Sequence, residues 1–145
     1  MEFSGKKVTV VGTGISGIGA VGLLNAVGAE VVLYDGNEKL KIEDIEKKLG
    51  TYKAEIVLGE LTKELTDSSD LLVISPGVPI DSPVVKAFEA AGVPVWGEVE
   101  LAYAFDKGKV LAITGTNGKT TTTALVGQIV GAYHKDTFVV GNIGN

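Results

Sequence analysis

The feature that most narrows what this chain can fold into is Gly12-Thr13-Gly14-Ile15-Ser16-Gly17. This G-x-G-x-x-G cluster is set between a β-branched run, Lys7 to Val11, and a segment with helical spacing. A strand that turns so abruptly into a helix belongs to architectures in which helices cross over between parallel strands. Ile18, Val21, Leu24 and Val27 recur every third residue, which places them on one helical face, and Gly28 ends that helix. Gly12 permits the tight turn, Gly17 lets helix and strand approach closely, and Gly14 leaves the backbone open to an anion at the helix N-terminus. In a chain with 20 glycines the bare pattern is weak, and helix-on-strand packing alone would explain it. Its placement carries the weight, because Asp35 closes the next β-branched run, Glu30 to Asp35, where it can accept from a ligand hydroxyl.

The alternation continues downstream. Asp35-Gly36-Asn37 is a turn signal, and Ile42, Ile45 and Leu49 then repeat among Glu and Lys as an amphipathic helix stopped by Gly50. Ala54 to Leu58 and Leu71 to Ser75 read as the third and fourth strands, the latter apolar enough to be central. Ser82 with Pro83 opens a helix through Val85 and Phe88, Gly92 stops it, and Val93 to Trp96 is a short fifth strand. Glu98 to Phe105 reads as a connecting helix, so a domain boundary is expected near Gly97. The fold class is α/β: a Rossmann-like parallel sheet with flanking helices over residues 1–97. Residues 98–145 follow as the truncated start of a P-loop α/β ATP-binding domain.

That second expectation rests on Thr114-Gly115-Thr116-Asn117-Gly118-Lys119-Thr120-Thr121, which follows an apolar run, Val110 to Thr114, and leads into a helix from about Lys119 to Tyr133. Successive N–H groups of such a turn form a concave anion site. Lys119 can reach the β and γ phosphates of ATP, and the Thr120 hydroxyl can ligate Mg2+. Thr120 to Thr123 are poor helix formers, so four hydroxyls at a helix start point to ligand or metal contact, although some could serve as caps. Ile113 stands where the usual first glycine of the loop would be, which makes this a variant. Thr137 to Val140 reads as a final strand. So few elements cannot close a sheet of their own.

Composition narrows the partners. No apolar run reaches the roughly 18 residues of a membrane span, and Met1 to Lys7 lacks a signal-peptide core. With no cysteine and one histidine, His134, neither a disulfide framework nor a thiolate or histidine metal cluster can form within the chain. The 13 cationic residues are all lysines, scattered in a chain of net charge -5, so no extended nucleic-acid surface is expected. A soluble, cytoplasmic monomer follows, holding phosphate mainly through backbone N–H groups and one or two lysines.

The order of these motifs resembles the Mur ligases of peptidoglycan synthesis. The features that carry the resemblance are G-T-G-I-S-G, Asp35, S-P-G-V-P at Ser75 to Pro79, G-E-V-E-L at Gly97 to Leu101, T-G-T-N-G-K-T-T, and G-N-I-G at Gly141 to Gly144. They span nearly the whole chain, and a phosphate loop without its first glycine is itself what that family shows. The resemblance implies an ATP-dependent ligase that adds D-glutamate to UDP-N-acetylmuramoyl-L-alanine through an acyl phosphate. It also implies UDP contacts at Gly14, Ile15, Ser16, Asp35, Gly77 and Asn142. Gly115, Thr116, Asn117, Gly118, Lys119, Thr120 and Thr121 would bind ATP, with Lys119 serving catalysis and Thr120 the metal. Asn37 stands where some relatives carry a basic uridine-contacting residue. Other catalytic positions and the D-glutamate site of the family would lie beyond Asn145, so this chain is expected to bind nucleotide without turnover. The competing readings are an NAD-binding oxidoreductase domain, which would leave Gly118-Lys119-Thr120 unused, and a non-catalytic nucleotide-binding regulatory module.

Overall fold

The computed structural model of the chain describes residues 3–141, which fall into two compact units, residues 1–106 and 107–145. In the first unit, five strands lie parallel: β1 (Lys7–Val11), β2 (Glu30–Asp35), β3 (Glu55–Leu58), β4 (Leu71–Ile74) and β5 (Val95–Gly97). Their order is β3-β2-β1-β4-β5, so the chain first winds outward from β1 to β3, then returns beside β1 and winds the other way. The connecting helices are α1 (Ile15–Ala26), α2 (Ile42–Leu49), α3 (Lys63–Ser68) and α4 (Pro83–Ala90), and α5 (Glu98–Phe105) follows β5.

The two-residue period of the strands divides the core into two layers. Val8, Val10, Val31, Leu33, Leu71 and Val73 face one side, where Ala20, Val21 and Leu24 of α1, Ile45 and Leu49 of α2 and Leu101 of α5 cover them. Val11, Val32, Tyr34, Leu72 and Ile74 face the other side, against Leu65 of α3 and Val85 and Phe88 of α4. Register keeps each layer in line: Val10 lies opposite Leu33 and Val73, and Val11 opposite Tyr34 and Ile74. A parallel sheet covered on both faces needs such continuous apolar strands, which is what the sequence supplies.

Three differences from the sequence reading have local causes. The compact unit runs past the Gly97 boundary to Asp106, because Leu101 of α5 is wholly buried in the first core layer and Phe3 stacks on Phe105 with ring centroids 5.0 Å apart. Helix α3 has no counterpart in the periodicity, being only six residues long; its visible signal is Thr62, whose hydroxyl caps the Leu65 N–H at 3.3 Å. Ile42, expected on the buried face of α2, stays exposed because the core is reached through Ile45 and Leu49 alone.

The second unit contains α6 (Lys119–Tyr133), as expected. The runs Val110 to Thr114 and Thr137 to Val140, expected as strands, are irregular. A strand exists only through its ladder of hydrogen bonds, and among the described residues of this unit no two segments form one. Gly127 instead lets Val139 sit directly against α6, where an added Cβ would come within 2.4 Å of the Val139 side chain. Leu111, Phe138 and Val140 remain exposed.

At the edge of the sheet opposite the helix-opening turns, Asp70 ties β4 to β1. Its carboxylate accepts from the Lys7 N–H at 2.9 Å and from the Lys6 ammonium at 3.1 Å, and its own N–H donates to the Lys7 carbonyl at 2.8 Å. The Lys7 N–H first, and the Lys6 ammonium second, hold the Asp70 carboxyl below the usual carboxylate range. A depressed folded-state value stabilises the fold above the unfolded value near about 4, and the contribution disappears as pH falls through the folded value. Because the side chain is 41% exposed, solvent screening limits it to less than about 1 kcal/mol. Asp70→Asn should therefore lower stability slightly at pH 7 and not at pH 2, with urea titrations at the two pH values as the measurement.

Candidate functional site

In a doubly wound sheet the turns at the carboxyl ends of the two strands flanking the switch point diverge and leave a crevice between them. Here that point lies between β1 and β4, where the turn Gly12–Gly14 meets the loop that begins at Ser75. The Ser75 N–H donates to the Val11 carbonyl at 3.2 Å, and the Gly12 N–H to the Tyr34 carbonyl at 2.9 Å, so the turn is tied to both neighbouring strands.

Gly12 adopts φ +104°, which L side chains rarely take, and a Cβ there would press on the Ser75 side chain at 2.9 Å. Gly17 matters more. A Cβ on it would stand 1.9 Å from the Gly12 carbonyl oxygen, inside any permitted contact, so only glycine lets the first turn of α1 lie against the end of β1. Gly14 is the N-cap of α1, and no side chain caps the helix. The first N–H groups of α1 have no intrahelical acceptor and face outward, with the positive end of the helix dipole behind them. A Cβ on Gly14 or on Gly77 would meet nothing within 4 Å, so both walls of the crevice are open to a ligand. Ile15 is 95% exposed beside them, and Ser16 is half-buried.

Asp35 is held from within. Its Oδ2 accepts from the Thr13 N–H at 3.3 Å and from the Thr13 hydroxyl at 3.0 Å, and its Oδ1 accepts from the Asn37 N–H at 3.1 Å. Only part of its acceptor capacity is left for a ligand, chiefly at Oδ1. The Tyr34 hydroxyl donates to the Gly59 carbonyl at 2.7 Å. Burial first, and the neighbouring Asp35 charge second, raise its ionisation above the usual tyrosine value, so it stays a neutral brace under the site.

Gly14, Ile15 and Ser16 lie at the turn that Thr13 fastens to Asp35, and Gly77 lies two residues past Ser75 in the facing loop, whereas Asn142 lies outside the described residues. Two groups there escaped the sequence reading. The Ser75 hydroxyl is buried beneath the turn without a hydrogen-bond partner among the described residues. The Lys48 ammonium of α2 reaches the Thr13 carbonyl at 3.4 Å. Lys48 has no local sequence signal, and the S-P-G-V-P run that begins at Ser75 does not reveal that its hydroxyl lies beneath the turn, since both depend on which turns the topology brings together. Surface hollows between α3 and α4 and near Asn25 and Lys53 lie away from this crevice.

In the second unit, Gly115 and Gly118 have φ +152° and +74°, and Gly118 is the N-cap of α6. The Lys119 ammonium donates to the Gly115 carbonyl, closing the loop on itself. Thr116, Asn117, Thr120 and Thr121 are exposed around it. No group of three or more His, Cys, Asp or Glu able to hold a metal ion occurs among the described residues.

The parallel sheet, the glycine turn at its switch point and the uncapped helix N-terminus define a Rossmann-like domain with an open crevice at that point. Residues 6–97 match the family model described as Mur ligase MurD-like, N-terminal domain, and the chain belongs to that family. It is 68% identical over its whole length to a UDP-N-acetylmuramoylalanine--D-glutamate ligase of Lachnospira eligens, and 57% identical over 99% of its length to one of Lachnoclostridium phytofermentans. The chain spans 32% of the length of each of these curated relatives. Among solved structures, a pseudomurein peptide ligase type C from Methanothermus fervidus superposes with a TM-score of 0.56 at 27% identity, covering 87% of this chain and 26% of that one.

If the Gly17–Gly12 contact sets the turn, Gly17→Ala should cost about 3 kcal/mol or more, since backbone rather than a flexible side chain must yield. Gly14→Ala, with open space and an ordinary φ, should cost less than about 1 kcal/mol. Thermal or urea denaturation of the two variants checks the contrast.

Proposed function

We propose that the first unit binds the uridine diphosphate part of UDP-N-acetylmuramoyl-L-alanine, and that the second is the start of the ATP-binding domain of a D-glutamate-adding ligase. The observation that carries the reading is the uncapped N-terminus of α1 opening onto a switch-point crevice, in a chain related throughout to ligases of that name. In this reading the N–H groups of Ile15 and Ser16 receive the diphosphate, Gly14 and Gly77 let it reach the backbone, and the remaining capacity of Asp35 accepts from the uridine. Asn142 would complete the set.

The loop at Gly115 to Thr121 fits ATP by its chemistry. Glycines at positive φ turn successive N–H groups inward, the N-terminus of α6 has no side-chain cap, and Lys119 already lies across the loop, where phosphate oxygens would replace the Gly115 carbonyl as its acceptor. Thr120 offers the hard oxygen ligand that Mg2+ prefers, and a bound Mg2+ would neutralise charge on the transferring phosphoryl group. The family reaction makes an acyl phosphate on the muramoyl-alanine carboxylate and releases ADP; the amine of D-glutamate then attacks that carbonyl and expels phosphate. Lys119 would stabilise the phosphoryl group in the first step. The remaining groups of that reaction, with the D-glutamate site, fall to residues outside this chain. We place the protein in the cytoplasm, as a monomer, where its nucleotide substrates are found. No helix among the described residues is long and apolar enough to cross a membrane.

Isothermal titration of the 145-residue chain should show UDP binding and none, or much weaker, with NAD. Absence of UDP binding, or a preference for NAD, would count against the proposal. A phosphate-release assay of the same chain with ATP, UDP-N-acetylmuramoyl-L-alanine and D-glutamate should remain at background; turnover would show that the catalytic groups are present after all.

A further inference from the structure

Resting on the nucleotide-diphosphate reading above, we infer that Lys48 is the cation of the crevice and contacts the diphosphate from the α2 side. The need for a cation follows from charge. A nucleoside diphosphate brings two or more negative charges, the end of α1 offers about half a positive charge, and Asp35 adds a negative one at the rim. Backbone dipoles alone leave the occupied site strongly negative, and the chain has no arginine.

Lys48 is the lysine whose ammonium, among the described residues, touches the glycine turn, at 3.4 Å from the Thr13 carbonyl. It is not there by chance orientation of a loose helix. Ile45 and Leu49, on either side of it in α2, are both anchored in the core, which fixes where the stem of Lys48 starts. Its neighbour Lys47 turns the other way and pairs with Asp44 at 3.7 Å. Lys48 forms no direct ion pair with an acidic side chain among the described residues. Thr13 is gripped from two sides, by Asp35 through its N–H and hydroxyl and by Lys48 through its carbonyl. A single neutral acceptor occupies one of the three ammonium donors and leaves the others for a ligand.

Position supports the same assignment. Thr13 directly precedes the Gly14 N-cap, and the Ile15 N–H is two residues on, at most about 7 Å along the chain. A phosphate seated on the first N–H groups of α1 is within the reach of a lysine held at Thr13. Lys48 therefore reads phosphate, while Asp35 and the turn after β2 face the nucleoside.

The test compares UDP, UMP and uridine binding to the 145-residue chain by calorimetry or chemical-shift titration, with thermal melts confirming that each variant is folded. Lys48→Met should weaken UDP about tenfold or more, the loss expected for one charge-assisted hydrogen bond, weaken UMP less, and leave uridine unchanged. Lys48→Arg should restore most of the UDP affinity. Lys47→Met, which removes the same net charge one residue away, should change UDP binding by less than about twofold. Lys48→Met binding UDP as tightly as the native chain would overturn the inference while leaving the uridine diphosphate reading in place. Equal losses for UDP and uridine would also overturn it, by showing that Lys48 acts only through the shape of the turn. A native chain that does not bind UDP would remove both.

Discussion

The first unit depends on one close approach, the backbone of Gly17 against the carbonyl of Gly12. That contact sets the direction in which α1 leaves β1, and with it which face of the sheet Val21 and Leu24 cover. It also decides where the free N–H groups of the helix are aimed. A side chain at Gly17 would push the helix outward, loosening the first core layer and turning its uncapped N-terminus away from the crevice together. Packing and the aim of those N–H groups therefore share a single cause. Gly12 and Gly17 serve the packing, while Gly14 has open space around it.

Asp35 extends the same economy. An aspartate at the end of the second strand was legible as a ligand contact, yet three of its hydrogen bonds are internal, two to Thr13 and one to Asn37. Its first effect is to fasten the turn after β1 to the end of β2, so that the crevice keeps its shape before any ligand arrives. Tyr34, one residue earlier and on the opposite face of β2, fastens the same region to Gly59. Preorganisation of this kind lowers the ordering cost of any binding in the crevice.

Much of the first unit could be read from the sequence because its signals are local. β-branched runs, helical spacing and glycine stops act within a few residues, and they located all five strands and four of the five helices. What escaped was set by tertiary partners. Helix α5 read as a connector because eight residues with a weak face look alike whether or not a neighbour receives Leu101. Helix α3 was too short to show a period. Ser75 and Lys48 joined the site only once the sheet order placed the end of β4 and the side of α2 against the Gly12–Gly14 turn. Of the site itself, the glycines and Asp35 were visible because they act on the backbone next to them, and the lysine was not because it arrives from 35 positions away.

The second unit shows the reverse, with strong local signals and weak structure. Val110 to Thr114 has the composition of a buried strand, and α6 formed where expected, yet no residue of that helix is buried and its Leu125, Ile129 and Tyr133 face solvent. Composition prepares a segment to be a strand; only a hydrogen-bonding neighbour makes it one. The glycine loop is different in kind. Its shape comes from Gly115, Gly118 and the Lys119 contact to Gly115, all within five residues, so it needs no sheet to adopt a phosphate-loop form. A strand packed beside the loop would add rigidity, since a loop fixed on one side by a sheet keeps its N–H groups aimed one way at no further cost in entropy. By this argument local geometry suffices for the form of the loop at Lys119, while its rigidity must grow with the number of strands packed beside it.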